Sequence, residues 1–211
     1  MKRLAIIGSG DLAQQIIHHS KGSDSYLPTC LFDDYMADGD TRHGLPVKGG
    51  IGKVLHHFES GTFDVLMIGI GYKHMQKREE IYNLYAGKIP FGTIIHPSCT
   101  IDSTCRIGEG SFLYPGVIAD MNVRIGKNTI IYNGCVIAHD SRVGNHTILS
   151  PSVSIAGFSN TGDNTVLGIG TVVSDNVTMC NGVKTGAGAV VVKSITEKGL
   201  YIGCPAKLRS K

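Results

Sequence analysis

No stretch of the 211-residue sequence reaches the roughly 18 uninterrupted apolar residues that a membrane-crossing helix needs. The apolar run near the amino end, Leu4 to Ile7, is short and is soon followed by Asp11, with no small-residue cleavage signal, so a secretory leader is not expected. No pair of the six cysteines has CxxC spacing, which argues against a thiol redox centre and fits a reducing, cytoplasmic setting. Charge of one sign is not in excess: 20 Lys and Arg face 17 Asp and Glu, a net +3. These charges are scattered along the chain, so a nucleic-acid partner is not expected. Adjacent histidines occur as His18-His19 and His56-His57. On helices, neighbours in sequence do not face one ligand, and no metal site is assigned to them.

What the sequence has in abundance is a period of six. From Ile95 to Val191 every sixth residue comes from one short menu: all of these positions except Ala119, Thr161 and Thr185 are large aliphatics or Met. Four residues after each stands a small or β-branched residue, beginning Cys99, Cys105, Ser111, Val117 and Val123. Neither a helix nor a simple strand has this period. It is the hexapeptide repeat of a parallel β-helix, in which three short faces close a coil of 18 residues and about five to six coils stack. On this reading the large residues fill the prism, and Cys99, Cys105 and Cys135 are packing residues. Gly108, Gly126, Gly144 and Gly162, with Asn128 and Asn164, mark corners where φ is expected to turn positive.

Residues 1–92 read differently. A strand at residues 3–7 runs into Gly8-Ser9-Gly10-Asp11 and then a helical pattern, the context in which a GxGxxA turn brings backbone N–H groups to a phosphate at a helix start. A second strand, YLPTCLF, ends in Asp33-Asp34, placed to accept hydrogen bonds from a ribose or a base. A short helix, a third strand ending in Gly69-Ile70-Gly71, a longer helix at about residues 72–86 and a last strand around FGTII complete the alternation. The region is half the size of a full dinucleotide fold, which favours a mononucleotide-sized ligand. The expected class is therefore α/β plus β, a small Rossmann-like parallel-sheet domain at 1–92, a β-helix at 93–195 and a tail at 196–211.

Residues 18 apart stack in columns, so Met121, His139 and Gly157 share one column and Asn122, Asp140 and Phe158 the next. A histidine beside a carboxylate at an exposed corner is a candidate general base; it is equally a solvated turn dipeptide. Column spacing places Gly157 one coil, about 4.8 Å, from His139. His146, in a column with Asn128 and Asn164, reads as a turn residue. No Cys or Ser stands beside the base to carry an acyl group, which favours direct transfer.

The motifs GSGD, FDD, IAHDSRVG, SIAG and IGCPAK, in that order along nearly the whole chain, resemble the bacterial sugar-nucleotide acetyltransferases. That family includes the bacillosamine and perosamine N-acetyltransferases and the sialic acid O-acetyltransferases. The resemblance implies a left-handed helix, a cytoplasmic homotrimer with active sites between subunits, acetyl-CoA along the coils and a nucleotide sugar on the amino-terminal domain. The activity it implies is N-acetylation of a 4-amino-4,6-dideoxy sugar linked to dTDP, UDP or GDP, for surface polysaccharide synthesis. Sugar O-acetylation and a non-catalytic sugar-nucleotide scaffold are the alternatives. It further implies that His139 is the base and Asp140 its acid partner, that the Gly157 N–H faces the thioester oxygen, and that Ile169, Gly186 and Ala187 line the pantetheine arm. Gly8, Ser9, Gly10, Asp11, Gly69 and Gly71 match its phosphate loops, and Asp33-Asp34 its contacts to base or ribose. The chain departs from the bacillosamine enzyme at Tyr132, in place of an Asn, and at Ile148, in place of a His.

Overall fold

A computed structural model describes residues 1–21 and 25–209, which divide into two compact units, Met1–Ile94 and Ile95–Lys211. In the first, β1 (Lys2–Ile7) lies between β2 (Tyr26–Phe32) and a third parallel strand, β5 (Val65–Ile68). All four residues of that third strand are buried, the run of apolar side chains expected of a strand covered on both faces. Helices α1 (Asp11–Lys21), α2 (Val54–Glu59) and α3 (Met75–Tyr85) connect and flank the strands.

Two features of this unit differ from the sequence expectation. The fourth strand expected around FGTII is reduced to one parallel bridge between Phe91 and Leu66. Pro90 has no N–H to extend a ladder, and Ile94–Ile95 is instead the first strand of a solenoid face. The connection after Asp34 holds a small hairpin, β3 (Thr41–Arg42) and β4 (Leu45–Pro46). Its two-residue turn, His43 (φ 51°) and Gly44 (φ 76°), has both residues left-handed, the geometry that matches strand twist in tight hairpins.

The second unit is a parallel β-solenoid with three faces. The first face stacks six strands, Thr100–Ile101 through Val190–Val191. The second stacks Arg106–Ile107, Arg124–Ile125 and Arg142–Val143 and continues as bridges through Asn160 and Thr178. The third runs from Ile94–Ile95 to Leu200–Ile202, where the tail folds back as an antiparallel strand, Lys207–Leu208. Pairing is between residues 18 apart, such as Ile118 with Val136 and Ile131 with Leu149. The second residue of the two-residue strands from Phe112–Leu113 to Val190–Val191 points inward, so Leu113, Ile131, Ile137, Leu149, Ile155 and Leu167 form one continuous core, each 2% exposed or less. Each such side chain contributes on the order of 1.5–3 kcal/mol by leaving water.

The small second-column residues do more than fit. Their hydroxyls and thiols donate to a backbone carbonyl one coil on: Cys99 Sγ to Tyr114 O (3.1 Å), Ser111 Oγ to Gly126 O (2.8 Å), Thr129 Oγ1 to Gly144 O (3.0 Å) and Ser159 Oγ to Ser174 O (2.7 Å). Burial pushes the Cys135 thiol up to about 11, so it packs and does not react.

The glycine expectation is corrected. Left-handed corners are held by Gly110, Asn128, His146, Asn164 and Gly182 in one column and by Asn122, Asp140, Phe158 and Asn176 in another. Gly108, Gly126, Gly144 and Gly162 are not left-handed. They are glycine because the coils pass too close for a side chain: a Cβ on Gly108 would lie 2.6 Å from Lys127 N, and one on Gly126 would lie 2.6 Å from Asn145 N.

Candidate active site

Two places gather chemistry, one in each unit. In the first unit, Gly8 ends β1 with φ 96° and sits against the Gly69 carbonyl beyond the neighbouring strand. Gly69 is pinned by its N–H to Ile7 O (2.7 Å) and admits no Cβ, which would meet Ala13 and Ile6 at 2.9 Å. Gly10 and Gly71 border open space, with nothing within 4 Å of a Cβ, so packing does not explain them. The exposed Asp11 opens α1 beside them. Arg78, buried on α3, reaches under this turn and donates from Nη1 to Ile68 O (3.0 Å) and Ile70 O (2.6 Å).

The acidic pair is partly committed within the chain. Ser9 Oγ donates to Asp33 Oδ2 (2.6 Å) and Tyr35 N to Asp33 Oδ1 (2.9 Å), while Asp34 Oδ1 accepts from Ile51 N (2.7 Å). His43, which sequence reading passed over, is carried by its hairpin turn to within 2.8 Å of Ser9 O through Nε2. The Asn/Gly-like turn at a His-Gly dipeptide was the available signal. Gly8, Ser9, Gly69, Asp33 and His43 thus meet at the carboxyl ends of parallel strands, where such sheets bind ligands.

In the solenoid, His139 and Asp140 occupy the corner between the first and second faces. The left-handed backbone of Asp140 (φ 57°) turns its carboxylate back, and Oδ2 accepts from His139 Nδ1 at 3.0 Å. A carboxylate can only accept, so this bond leaves the imidazole lone pair on Nε2. Asn122, one coil away, donates from Nδ2 to Asp140 Oδ1 at 3.0 Å. That bond first, and His139 second, hold the Asp140 carboxyl below the usual carboxylate range. The side chains are 44% and 31% exposed, so the imidazole is reachable from solvent.

Gly157 lies directly against the imidazole. A Cβ there would come 2.8 Å from Cε1 and 2.9 Å from Nε2 of His139, and among the described residues the Gly157 N–H donates to no acceptor. Phe158, exposed and left-handed (φ 58°), meets the same ring edge-on. Ile169, 59% exposed, and Ala187 lie on the surface of later coils. Gly186 is closed to a side chain, whose Cβ would meet Ile202 at 2.8 Å. His146 is a turn residue, left-handed, 7% exposed and bonded through Nδ1 to Asn128 Nδ2 (3.0 Å). Tyr132 packs against Tyr114 with the rings tilted by 32° (4.6 Å between centroids) and Ile148 is 2% exposed, so both pack.

Charges that look scattered in sequence are collected by the coil. Arg106, Arg124 and Arg142, spaced 18 apart, stack in register on the second face beside Asp140. Column arithmetic was the signal that would have found them. Among the described residues no group of three or more His, Cys, Asp or Glu side chains converges as a metal site would need, and no helix is long and apolar enough to cross a membrane.

The family comparison finds the bacterial transferase hexapeptide. The family model of that description matches residues 122–157, the segment holding Asn122, His139, Asp140 and Gly157. Comparison with curated proteins gives no match. Solved structures bear out the likeness to the sugar acetyltransferases. The chain is 29% identical to a perosamine N-acetyltransferase from Caulobacter crescentus, a variant with one histidine replaced by asparagine, solved with CoA and GDP-perosamine. That likeness covers 100% of this chain and 98% of the other, with a TM-score of 0.90. Two more distant structures share the fold: the acetyltransferase domain of PglB from Neisseria gonorrhoeae (23% identity, 99% and 100% covered, TM-score 0.88) and WeeI from Acinetobacter baumannii (22%, 98% and 99%, 0.81). The chain thus shares its full-length fold with sugar acetyltransferases and carries the hexapeptide transferase repeat over residues 122–157.

Proposed function

We propose that the chain moves an acetyl group from acetyl-CoA to the 4-amino group of a nucleotide-linked 4-amino-4,6-dideoxy sugar. The full-length likeness to an enzyme solved with CoA and GDP-perosamine supports this reading. The observation that carries it is the corner itself, where an imidazole oriented by Asp140 presents Nε2 beside an unengaged amide. The sugar amine attacks the thioester carbonyl carbon and His139 Nε2 takes its proton. Asp140 steadies the imidazolium, and the Gly157 N–H stabilises the oxyanion. The C–S bond then breaks, the proton passes from His139 to the departing thiolate, and amide and free CoA leave. The hydroxyl nearest the base, that of buried Ser141, is committed to the His139 and Ala156 carbonyls, which favours direct transfer.

On this reading the 1–92 region holds the nucleotide sugar. Gly8, Ser9, Gly10, Asp11, Gly69 and Gly71 surround its phosphates, and Asp33 and Asp34 face its base or ribose. The 93–195 coils carry acetyl-CoA, with Ile169, Gly186 and Ala187 along the pantetheine arm, and the enzyme works as a cytoplasmic homotrimer in surface-glycan synthesis. The deciding experiment measures free-thiol release and product mass with acetyl-CoA and GDP-, UDP- and dTDP-linked 4-amino-6-deoxy sugars. One of them should gain about 42 Da, the increment of an acyl transfer. Acetylation of a hydroxyl acceptor alone, with all three amines untouched, would refute amine transfer.

A further inference from the structure

Arg106, Arg124 and Arg142 form a vertical row on the second solenoid face. Arg124 is paired in register with both of the others, while Ile107, Ile125 and Val143 beside them point into the core. Parallel rungs about 4.8 Å apart spread the three stems over about 10 Å. All three are exposed, and among the described residues none of their guanidinium groups makes an ion pair or hydrogen bond. Asp140, which lines the same concavity, is engaged with Asn122 and His139. Like charges directly opposite on adjacent strands repel, yet this fold stacks three of them. They line, with Ser103, Asn122 and Asp140, a concavity of about 690 Å³.

We propose that this row is an anion site for a diphosphate ester. Each guanidinium presents a planar fork that grips phosphate oxygens two at a time. Consecutive rungs therefore suit two phosphates joined through one oxygen better than a single phosphate. Because Asp140 borders the same concavity, a ligand held by its diphosphate here brings its other end to His139. Both substrates of the proposed reaction carry a diphosphate. In that reading the phosphates of the nucleotide sugar lie on the Gly8 and Gly69 loops, which leaves the row to the CoA diphosphate; this assignment rests on the proposed function, the anion site itself does not.

The test uses the full chain and three probes: inorganic pyrophosphate, CoA and a GDP-linked sugar, each titrated by calorimetry. The wild type binds pyrophosphate, and Arg124→Gln weakens it at least tenfold, with Arg124→Lys intermediate and both folded by thermal melting. The substrate that seats its diphosphate here shows the same loss and the other does not. His139→Asn leaves pyrophosphate binding intact, so loss of turnover in that variant is separable from failure of the site. Affinities of the triple Gln variant within twofold of wild type for all three probes would overturn the proposal. So would a triple variant that changes only oligomeric state, which would mark the row as a contact between copies.

Discussion

The ring of Phe158 meets the imidazole of His139 edge-on, with centroids 5.1 Å apart and planes at 87°. Its backbone is left-handed (φ 58°), in a column whose other members are Asn122, Asp140 and Asn176, and it is 54% exposed. A bulky exposed residue in that conformation costs stability, of order 1–2 kcal/mol. Phe158→Asn should therefore raise the melting temperature while lowering kcat about three- to tenfold, as the imidazole loses a contact worth about 1 kcal/mol. A gain in stability with unchanged kcat would show that the ring does not position His139.

Gly157 makes the complementary case. Its φ is not left-handed, so an alanine backbone is accepted, but the added Cβ would sit 2.8 Å from His139 Cε1. Gly157→Ala should fold with a stability change of about 1 kcal/mol or less and lose on the order of a hundredfold in kcat through displacement of the base. Circular dichroism and steady-state kinetics together check both halves.

The acid limb of the pH–rate profile should report one ionisation. Asn122 and then His139 keep the Asp140 carboxyl below the ordinary carboxylate range, so it stays ionised along that limb and adds no step of its own. A log(kcat/KM) slope near one is expected on that limb. A slope near two would mean that both members of the pair lose activity together.

A separate ionic pair sets acid stability in the first unit. Asp64 accepts from Arg3 N (2.7 Å), Nε (3.2 Å) and Nη2 (2.6 Å), and these bonds hold it at about 2, below the usual 3.8. A depressed folded value means stability fully present above the unfolded value and lost as pH falls toward the folded one. Asp64→Asn should lower the melting temperature at pH 7, and the gap from wild type should narrow between about pH 4 and 2.

The period of six made the three-faced prism and its stacking columns legible, and from them the proximity of His139, Asp140 and Gly157. Spacing could not tell why a corner is glycine. Asn128 and Gly110 answer a left-handed φ, whereas Gly126 and Gly144 answer a neighbouring coil; both recur every 18 residues. This yields a further prediction: Gly144→Ala, whose Cβ would run into the Gly162 backbone, should abolish folding, while Asn128→Gly costs at most about 2 kcal/mol, measured by denaturant melts. The arginine row is hidden when charges are read along the chain and appears only when they are read by column. His43 was hidden because a hairpin of two-residue strands leaves almost no periodic signal.

The central claim is that His139 is the base of an acyl transfer. Steady-state kinetics of His139→Asn, with acetyl-CoA and the amino-sugar nucleotide the wild type uses, tests it most directly. The account predicts kcat lower by a hundredfold or more, with CoA affinity within a few-fold of wild type. A kcat within twofold of wild type at neutral pH would contradict it.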